Sequence, residues 1–293
     1  MNFGEVITAM VTPFDNEGDL NLETTEKLVK HLISTGSDAI LLAGTTGESP
    51  TLSDEEKLKL FEFAVKKFNK KTKIIAGTGS NDTKHSIDLS KEAEKIGVDG
   101  LLLVVPYYNK PSQYGLYKHF EKIASEVKIP IILYNVPSRT SCNLSSKICI
   151  ELSKIDNIVA VKEASSDFKQ IAEIINGTKE EFFVYSGNDG DTLPMLSLGA
   201  YGVISVASHL VGKEIKEMIN LYKSGKFKEA ANVNNWLLDF FYGIFITTNP
   251  VPIKEALNLC GFDVGNPRLP LVNMTNEEKD NFKKILLKYN LIK

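Results

Sequence analysis

The fold is indicated most clearly by the segment Thr35-Gly36-Ser37-Asp38-Ala39-Ile40-Leu41-Leu42, which recurs in two altered copies. The copies are Ile96-Gly97-Val98-Asp99-Gly100-Leu101-Leu102-Leu103 and Leu198-Gly199-Ala200-Tyr201-Gly202-Val203-Ile204-Ser205. In each copy we expect a glycine to end a helix in the left-handed conformation, two residues to turn the chain, and a buried strand to begin. The repeat therefore predicts a helix-to-strand unit that occurs several times.

Eight short runs rich in Val, Ile and Leu are predicted to be strands. Most are continuously apolar, which is typical of parallel strands that are covered on both faces. Amphipathic helical segments separate them, and this alternation predicts an α/β protein with a (β/α)8 TIM barrel; an open doubly wound sheet is the alternative. The predicted strands are Glu5–Val11, Ala39–Leu42, Lys73–Ala76, Gly100–Val105, Ile131–Tyr134, Ile158–Lys162, Phe182–Ser186 and Gly202–Val206.

The strand pattern ends near Gly225, and only helices are predicted beyond it. The last helix begins with a capping box formed by Thr275 and Glu278. We therefore predict a catalytic barrel domain over residues 1–224 and a small helical domain over residues 225–293. The predicted C-terminal helices are Lys226–Ile246, Ile253–Cys260 and Asn276–Leu287.

The composition excludes several classes of protein. The chain has 293 residues, which fits one barrel of typically about 250 residues plus an addition. A net charge of −3 without basic clusters is unlike a nucleic-acid-binding protein, and the longest apolar run, Leu101–Val105, is too short to span a membrane. Three cysteines, an odd number, favour a reducing cytoplasm over a disulfide framework. We therefore expect a cytoplasmic protein whose partners are small molecules.

The residues that follow the predicted strands carry the candidate chemistry, because active sites of TIM barrels lie at the carboxyl ends of the strands. After the second strand, Gly44-Thr45-Thr46-Gly47-Glu48-Ser49 offers two hydroxyls and exposed backbone N–H groups that can bind a carboxylate. The alternative is a glycine turn whose threonines cap the next segment. The four histidines are scattered, so a metal site is not expected.

Lys162 ends the sixth predicted strand, in Ile158-Val159-Ala160-Val161-Lys162-Glu163. A lysine at the end of a buried strand is costly as a cation, and burial favours the neutral amine that forms a Schiff base with a carbonyl compound. The alternative is an ammonium group that reaches solvent or pairs with Glu163. Strand alternation directs Glu163 to the opposite face, which weakens the pairing alternative.

Taken together, these segments resemble the dihydrodipicolinate synthase/N-acetylneuraminate lyase family of Schiff-base aldolases. The resemblance covers nearly the whole chain, from Thr8–Phe14 to Asn249–Lys254. The occurrence of four motifs in the same order is more specific than any one of them. These motifs are Gly44–Ser49, Tyr107–Pro111, Tyr134–Thr140 and Val161–Ala164.

The resemblance implies that Lys162 forms a Schiff base with pyruvate and that no metal or organic cofactor takes part. It also implies a proton relay of Tyr134, Thr45 and Tyr108, in which Tyr108 comes from a neighbouring subunit. The implied assembly is a homotetramer built from two tight dimers. Three further positions match those that hold the pyruvate moiety in the family: Thr46, Gly187 and Ile204.

Arg139 distinguishes the branches of this family. It lies where the synthases have an arginine for the carboxylate of L-aspartate 4-semialdehyde, which sialic-acid lyases usually lack. A guanidinium group suits this task, because it binds carboxylates bidentately. The expected reaction is therefore the condensation of pyruvate with L-aspartate 4-semialdehyde in lysine biosynthesis. The alternatives are another aldolase of the family and a non-catalytic barrel that binds a metabolite.

The resemblance also implies an effector cleft, at which lysine-sensitive members of the family bind lysine. Sensitive members carry a glutamate where this chain has His85, and Lys57 adds a positive charge that disfavours a cationic ligand. We therefore expect weak or absent inhibition by lysine. The positions that match this cleft are Ser49, Asp54, Lys57, Asn81, His85 and Tyr107.

Overall fold

The computed structural model describes residues 2–68 and 70–293. The strands within these ranges are β1 Val6–Ala9, β2 Ala39–Leu42, β3 Lys73–Gly77, β4 Gly100–Val104, β5 Ile131–Asn135, β6 Ile158–Glu163, β7 Phe183–Ser186 and β8 Gly202–Ser205. They are parallel, they pair in chain order, and β1 closes the sheet by pairing with β8, so that Ile7 lies opposite Ile204. This closed barrel confirms the predicted fold, and the open doubly wound sheet is wrong.

Helices follow the strands and cover the outside of the barrel. In the described ranges they are α1 Leu22–Ser34, α2 Asp54–Phe68, α3 Thr83–Ile96, α4 Gln113–Ala124, α5 Pro137–Thr140, α6 Ser146–Leu152, α7 Phe168–Gly177, α8 Thr192–Ser197, α9 Ser208–Lys223, α10 Phe227–Gly243, α11 Val251–Leu259 and α12 Asn276–Lys288. The predicted C-terminal helices match α10, α11 and α12. The predicted end of the first of them, Ile246, is too late, because α10 ends at Gly243, a residue type with low helix propensity. The predicted capping box of α12 is present.

The repeated segment builds the same junction in each copy. Gly36, Gly97 and Gly199 have φ angles of 104°, 92° and 102°, the left-handed conformation that glycine adopts at little cost. Two residues later, each backbone N–H donates over 2.8 Å to a carbonyl group of the preceding strand. The junction therefore fixes the register of each new strand. The donor–acceptor pairs are Asp38–Val6, Asp99–Ile74 and Tyr201–Val184.

The apolar residues form two layers, one inside the barrel and one between the strands and the helices. Because side chains alternate along a strand, neighbouring residues enter different layers. In β6, Ala160 belongs to the inner layer and Val161 to the outer one. In β5, Ile132 faces inward and Leu133 outward. This alternation directs the last residues of β5 and β6 alternately into the barrel and onto the helices.

The C-terminal segment packs against the barrel at the ends of its strands. The Phe14 N–H donates to the Val264 carbonyl over 3.0 Å, which joins the segment after β1 to the segment after α11. The aromatic residues at the end of α10 differ in burial: Phe240 is buried, whereas Tyr242 is exposed. The division of the chain into domains 1–224 and 225–293 stays a prediction. No helix in the described part of the chain is long and apolar enough to cross a bilayer.

Candidate active site

Tyr134 and Lys162 lie side by side at the carboxyl ends of β5 and β6, where they are register partners. Both side chains point into the barrel, because partners in a parallel pair face the same side of the sheet. The Lys162 Nζ atom lies 4.4 Å from the centroid of the Tyr134 ring, and Lys162 is only 5% exposed. Within residues 2–68 and 70–293, no carboxylate forms an ion pair with Lys162. The amine is therefore buried beside an aromatic ring and has no ion-pair partner in the described part of the chain.

Glu163 follows Lys162 but points out of the barrel, as strand alternation predicts. Both of its carboxylate oxygens accept from Asn135 Nδ2 over 3.1 Å, and the carboxylate also accepts from the Ser165 N–H over 2.8 Å and from Gln170 Nε2 over 3.1 Å. Burial raises the pKa of Glu163, although these donors oppose that change. The alternative in which Glu163 pairs with Lys162 is therefore wrong.

Gly187 leaves the space that the lysine side chain occupies. It follows β7, and a Cβ atom at this position would lie 2.6 Å from the Ala164 Cβ and 3.2 Å from the Lys162 Cε. Any larger residue would push against the lysine. Ile204 is buried in β8 as part of the inner layer. Gly187 and Ile204, two of the three positions predicted to hold pyruvate, therefore lie at the same end or in the interior of the barrel that holds Lys162.

Asp189 secures the neighbouring end of β8 and was not anticipated from the sequence. Its buried carboxylate accepts a short hydrogen bond from the Ser205 hydroxyl and bonds of 3.1 Å from the N–H groups of Val206 and Ala207. Burial raises the pKa of Asp189, while those donors and the charge of Lys162 oppose the change. Asp189 thereby fixes the backbone that follows the strand carrying Ile204.

The loop Gly44–Ser49 is held close to the end of β1. The Thr12 hydroxyl donates to the Gly47 carbonyl over 2.6 Å, and a Cβ atom on Gly47 would lie 3.1 Å from the Met10 carbonyl oxygen. Thr46 is buried, and its hydroxyl oxygen accepts from Asn249 Nδ2 over 3.0 Å. The loop is thus fixed from both sides, as a preformed anion site requires.

A cavity of about 650 Å³ opens beside this loop. Thr45, Tyr134 and Arg139 line it, so the structure brings these predicted residues to one space. Its outer part is lined by all the positions that the sequence assigned to the effector cleft. These are Ser49, Asp54, Lys57, Asn81, His85 and Tyr107. The predicted effector cleft therefore shares this cavity with three of the predicted active-site residues, whereas Lys162, Thr46, Gly187 and Ile204 are not among the residues that line it.

Tyr108 lies apart from this cavity. It is 89% exposed, with a φ angle of 72°, and Lys110 two residues later has a φ angle of 45°. These left-handed backbones are unfavourable for residues with side chains. The turn is held by the Asn109 side chain, which donates to the Asn81 carbonyl over 2.8 Å. The loop therefore presents Tyr108 outward, and the predicted relay with Tyr134 is not closed among the residues that the structure describes.

Asp54, Lys57 and His85 form an internal cluster in the outer part of the cavity. His85 Nε2 lies 2.8 Å from the Asp54 carboxylate, and the Lys57 ammonium lies 3.7 Å from it. Burial lowers the pKa of Lys57, and the charge of Asp54 opposes this. The acidic side chain of the cleft is thus already engaged by two basic groups of the chain itself.

A model of the dihydrodipicolinate synthetase family matches residues 2–289. The chain belongs to this family. The expected family is confirmed, and so is the expectation of an enzyme of the lyase class.

Members of this family resemble the chain over nearly its full length. The chain is 52% identical over 280 residues to the 4-hydroxy-tetrahydrodipicolinate synthase of Bacillus subtilis, an alignment that covers 95% of this chain and 97% of that one. The crystal structure of dihydrodipicolinate synthase from Bacillus anthracis has a TM-score of 0.96 at 47% identity and covers 98% of both chains. The crystal structure of the enzyme from Cyanidioschyzon merolae with lysine bound has a TM-score of 0.97 at 44% identity, with 99% of both chains covered.

Several buried polar residues that surround the site carry little local signal that predicts their roles. The segment Asn249–Lys254 was noted only as part of the resemblance, although both of its end residues contact the Gly44–Ser49 loop. A lysine at an apolar helix position, as Lys254 is in α11, was the available signal. Its partner could not be read from the sequence, because the two residues meet only through the tertiary packing.

Proposed function

We propose that Lys162 is the Schiff-base residue of a 4-hydroxy-tetrahydrodipicolinate synthase, which condenses pyruvate with L-aspartate 4-semialdehyde. The relatives named above bear out the predicted activity. The assignment of individual residues is our proposal. The observation that carries it is the inward, buried Lys162, which lies against the Tyr134 ring without a carboxylate partner in the described ranges.

The proposed chemistry begins at the Lys162 amine. The amine attacks the carbonyl carbon of pyruvate, and loss of water gives a protonated imine that withdraws electrons. Removal of a proton from the pyruvate methyl group then gives an enamine. We assign the proton transfer here to Tyr134, and the contact of its ring with the lysine supports this role. Thr45 and a partner's Tyr108 complete the proposed relay.

The second half of the reaction forms and closes the carbon chain. The enamine carbon attacks the aldehyde carbon of L-aspartate 4-semialdehyde, whose carboxylate is held by Arg139 in this proposal. The amino group of that substrate then attacks the imine carbon and displaces the Lys162 amine, which closes the ring and frees the enzyme. Arg139 lines the same cavity as Tyr134, which supports its role toward the second substrate.

Thr46, Gly187 and Ile204 are proposed to hold the pyruvate moiety. The Thr46 hydroxyl is fixed within the loop after β2, and Gly187 leaves room beside the lysine. We further propose a homotetramer built from two dimers, which is supported by the outward Tyr108, and a cytoplasmic location, which is supported by three free cysteines.

Borohydride trapping tests the proposed function directly. Treatment with pyruvate and borohydride should add one pyruvate-derived mass to a peptide that contains Lys162, because reduction converts the imine into a stable amine. The Lys162→Ala variant should lose this labelling and all detectable turnover. Labelling that persists at another lysine in this variant would contradict the assignment.

The choice of aldehyde tests the second substrate. Turnover with pyruvate and L-aspartate 4-semialdehyde should exceed turnover with sugar-derived aldehydes. A preference for a sugar aldehyde would favour another aldolase of the family. Failure to trap pyruvate at all would favour a barrel that binds a metabolite without reacting with it.

A further inference from the structure

A buried ion pair joins the C-terminal helices to the loop Gly44–Ser49. The Lys254 Nζ atom lies 2.7 Å from Glu48 Oε1, and both side chains are 1% exposed. Lys254 also donates to the Asn266 carbonyl over 3.1 Å and lies 4.2 Å from the centroid of the Phe14 ring. A buried charge pair usually stabilises a fold no more than apolar residues of similar volume would. The Lys254–Glu48 pair therefore indicates a role other than stability.

Glu48 is the residue of this loop that has a side chain and a left-handed backbone. It has a φ angle of 56°, the left-handed conformation that is unfavourable for a residue with a side chain. Its second carboxylate oxygen accepts from the Arg268 N–H over 2.8 Å. The two oxygens of Glu48 are therefore held by two different parts of the C-terminal segment. Such over-determined contacts are what allow a strained turn to persist.

Asn249 reaches the same loop from the start of α11. Its Nδ2 group donates to the Thr46 hydroxyl oxygen over 3.0 Å, and both residues are buried. A hydroxyl group has one proton to donate and two lone pairs to accept with. Because one lone pair of Thr46 receives the Asn249 amide, its own proton stays free to donate to a bound carboxylate.

We propose that Asn249, Lys254 and Glu48 form a loop anchor, which positions Thr46 to bind the carboxylate of pyruvate and holds the loop that carries Thr45 of the proposed relay. Asn249 sets the donor direction of the Thr46 hydroxyl, and the Lys254–Glu48 pair holds the turn that follows it. These are positioning residues, since they act through the threonines. The inference rests on the proposed function, because it needs pyruvate to bind at this loop.

The loop anchor predicts a selective defect in pyruvate binding. Lys254→Met removes the cation and leaves Glu48 buried without its partner, which should displace the loop. Asn249→Ala removes one neutral hydrogen bond. Asn249→Asp replaces a donor with a carboxylate, which takes up the Thr46 proton and adds negative charge beside the substrate's carboxylate. Asn249→Asp should therefore be more damaging than Asn249→Ala.

The measurement is the pyruvate concentration that gives half-maximal borohydride labelling of Lys162, together with separate KM values for pyruvate and the semialdehyde. We expect Asn249→Ala to raise the half-maximal pyruvate concentration about tenfold, as the loss of a single hydrogen bond can. Asn249→Asp and Lys254→Met should raise it further, on the order of a hundredfold. The KM for the semialdehyde should change less than about threefold in Asn249→Ala, because Asn249 contacts the loop proposed to bind pyruvate, whereas Arg139 is proposed to bind the semialdehyde.

Lys279→Met is the matched control. Lys279, in α12, lies 3.0 Å from Glu255, the residue next to Lys254 in α11. This variant therefore removes the same kind of charge from an ion pair that joins the same helix, α11, to another part of the chain. It should leave the pyruvate dependence unchanged. The double variant Glu48→Gln/Lys254→Met removes both charges and should recover thermal stability relative to Lys254→Met, while pyruvate binding stays weak.

Two results would overturn the loop anchor. One is a pyruvate dependence of Asn249→Asp and Lys254→Met that equals that of the wild type. The other is an equal rise of both KM values in Asn249→Ala and Asn249→Asp, which indicates general loosening. If Lys254→Met does not fold, the two Asn249 variants decide the question. Failure of the wild type to be labelled at Lys162 would instead reject the proposed function.

Discussion

The two ends of the proposed proton relay are built in opposite ways. Tyr134 and Lys162 are side chains of neighbouring barrel strands, buried and fixed by strand register. Tyr108 lies in a loop after β4, almost fully exposed and with a left-handed backbone. Tyr134 and Lys162 meet within one chain, whereas Tyr108 points away from the cavity of its own chain. Under the proposed function, we therefore predict that imine formation needs only one chain and that turnover needs an assembly.

Replacement of Tyr108 should give the largest effect on turnover among the following variants. Tyr108→Phe removes a hydroxyl from the proposed relay, and kcat should fall by roughly 10²–10⁴-fold, the range of general acid–base catalysis. Borohydride trapping of pyruvate should persist, because the strand-borne residues are unchanged. Tyr114→Phe, an exposed tyrosine in α4, is the control and should keep full activity.

A mixing experiment decides whether Tyr108 serves its own chain or a neighbour. Tyr108→Phe and Lys162→Ala are each expected to be inactive. When subunits of the two are exchanged, the intact Lys162 of one chain meets the intact Tyr108 of the other, and a measurable fraction of the activity should return. A mixture that stays inactive after exchange, or a folded monomer with full activity, would contradict the intersubunit relay.

Arg139 should show a smaller effect of a different kind. Arg139→Ala should cost about 2–4 kcal/mol of transition-state binding, since the substrate carboxylate loses its charged partner. The loss should be seen in kcat/KM for the semialdehyde, while pyruvate trapping is retained. Arg139→Lys should recover part of it, because lysine keeps the charge and lacks the bidentate fork. If trapping falls as much as turnover, the division between the two substrates is wrong.

Replacement of Glu163 tests how firmly the end of β6, next to Lys162, is held. In Glu163→Gln, an NH₂ group replaces one of the two acceptor oxygens that face the donors of Asn135, Ser165 and Gln170. The free energy of unfolding should therefore fall by about 1–3 kcal/mol at neutral pH. Glu173→Gln, on the exposed face of α7, is the matched control and should change stability little. Denaturant unfolding of both variants measures the difference.

The direction of the Glu163 pKa shift determines how the stability difference between the wild type and Glu163→Gln changes with pH. Burial raises the pKa of Glu163 above its value in the unfolded chain, so the folded state holds the proton more tightly. The wild type should therefore be most stable relative to Glu163→Gln at pH values below the unfolded pKa, near 4.5. This advantage should decrease as pH rises through the folded pKa. An advantage that increases with pH would show that Glu163 is held as a charged group.

Lysine should produce the smallest effect. The Lys57 ammonium and His85 already surround the Asp54 carboxylate, so a cationic ligand meets basic groups in the cleft. We expect no more than weak inhibition in a lysine titration with pyruvate near its KM, and weak binding by calorimetry. The Cyanidioschyzon merolae relative, solved with lysine bound, is the natural positive control. Strong inhibition here would refute this expectation and leave the catalytic proposal intact.

Much of the candidate active site could be predicted because it is local in the chain. The alternation of apolar runs and helices predicted the barrel, and the end of each run predicted which side chains face the cavity. Lys162 stood out because a charged residue ended a buried strand. Strand alternation alone predicted that Glu163 points to the face opposite Lys162, and the structure agrees. The acceptor role of Glu163 could not be predicted, since its donors come from three separate elements.

The sequence by itself therefore determined the barrel, the strand ends and the candidate residues, because these depend on periodicity and on neighbours a few positions apart. Only the tertiary structure decided that Tyr108 faces outward, and that Asn249 and Lys254 hold the loop that carries Thr46. Asn249 and Thr46 are 203 positions apart in the chain. A hydrogen bond between them leaves no local pattern, because it forms only when barrel closure brings the C-terminal helices over the strand ends.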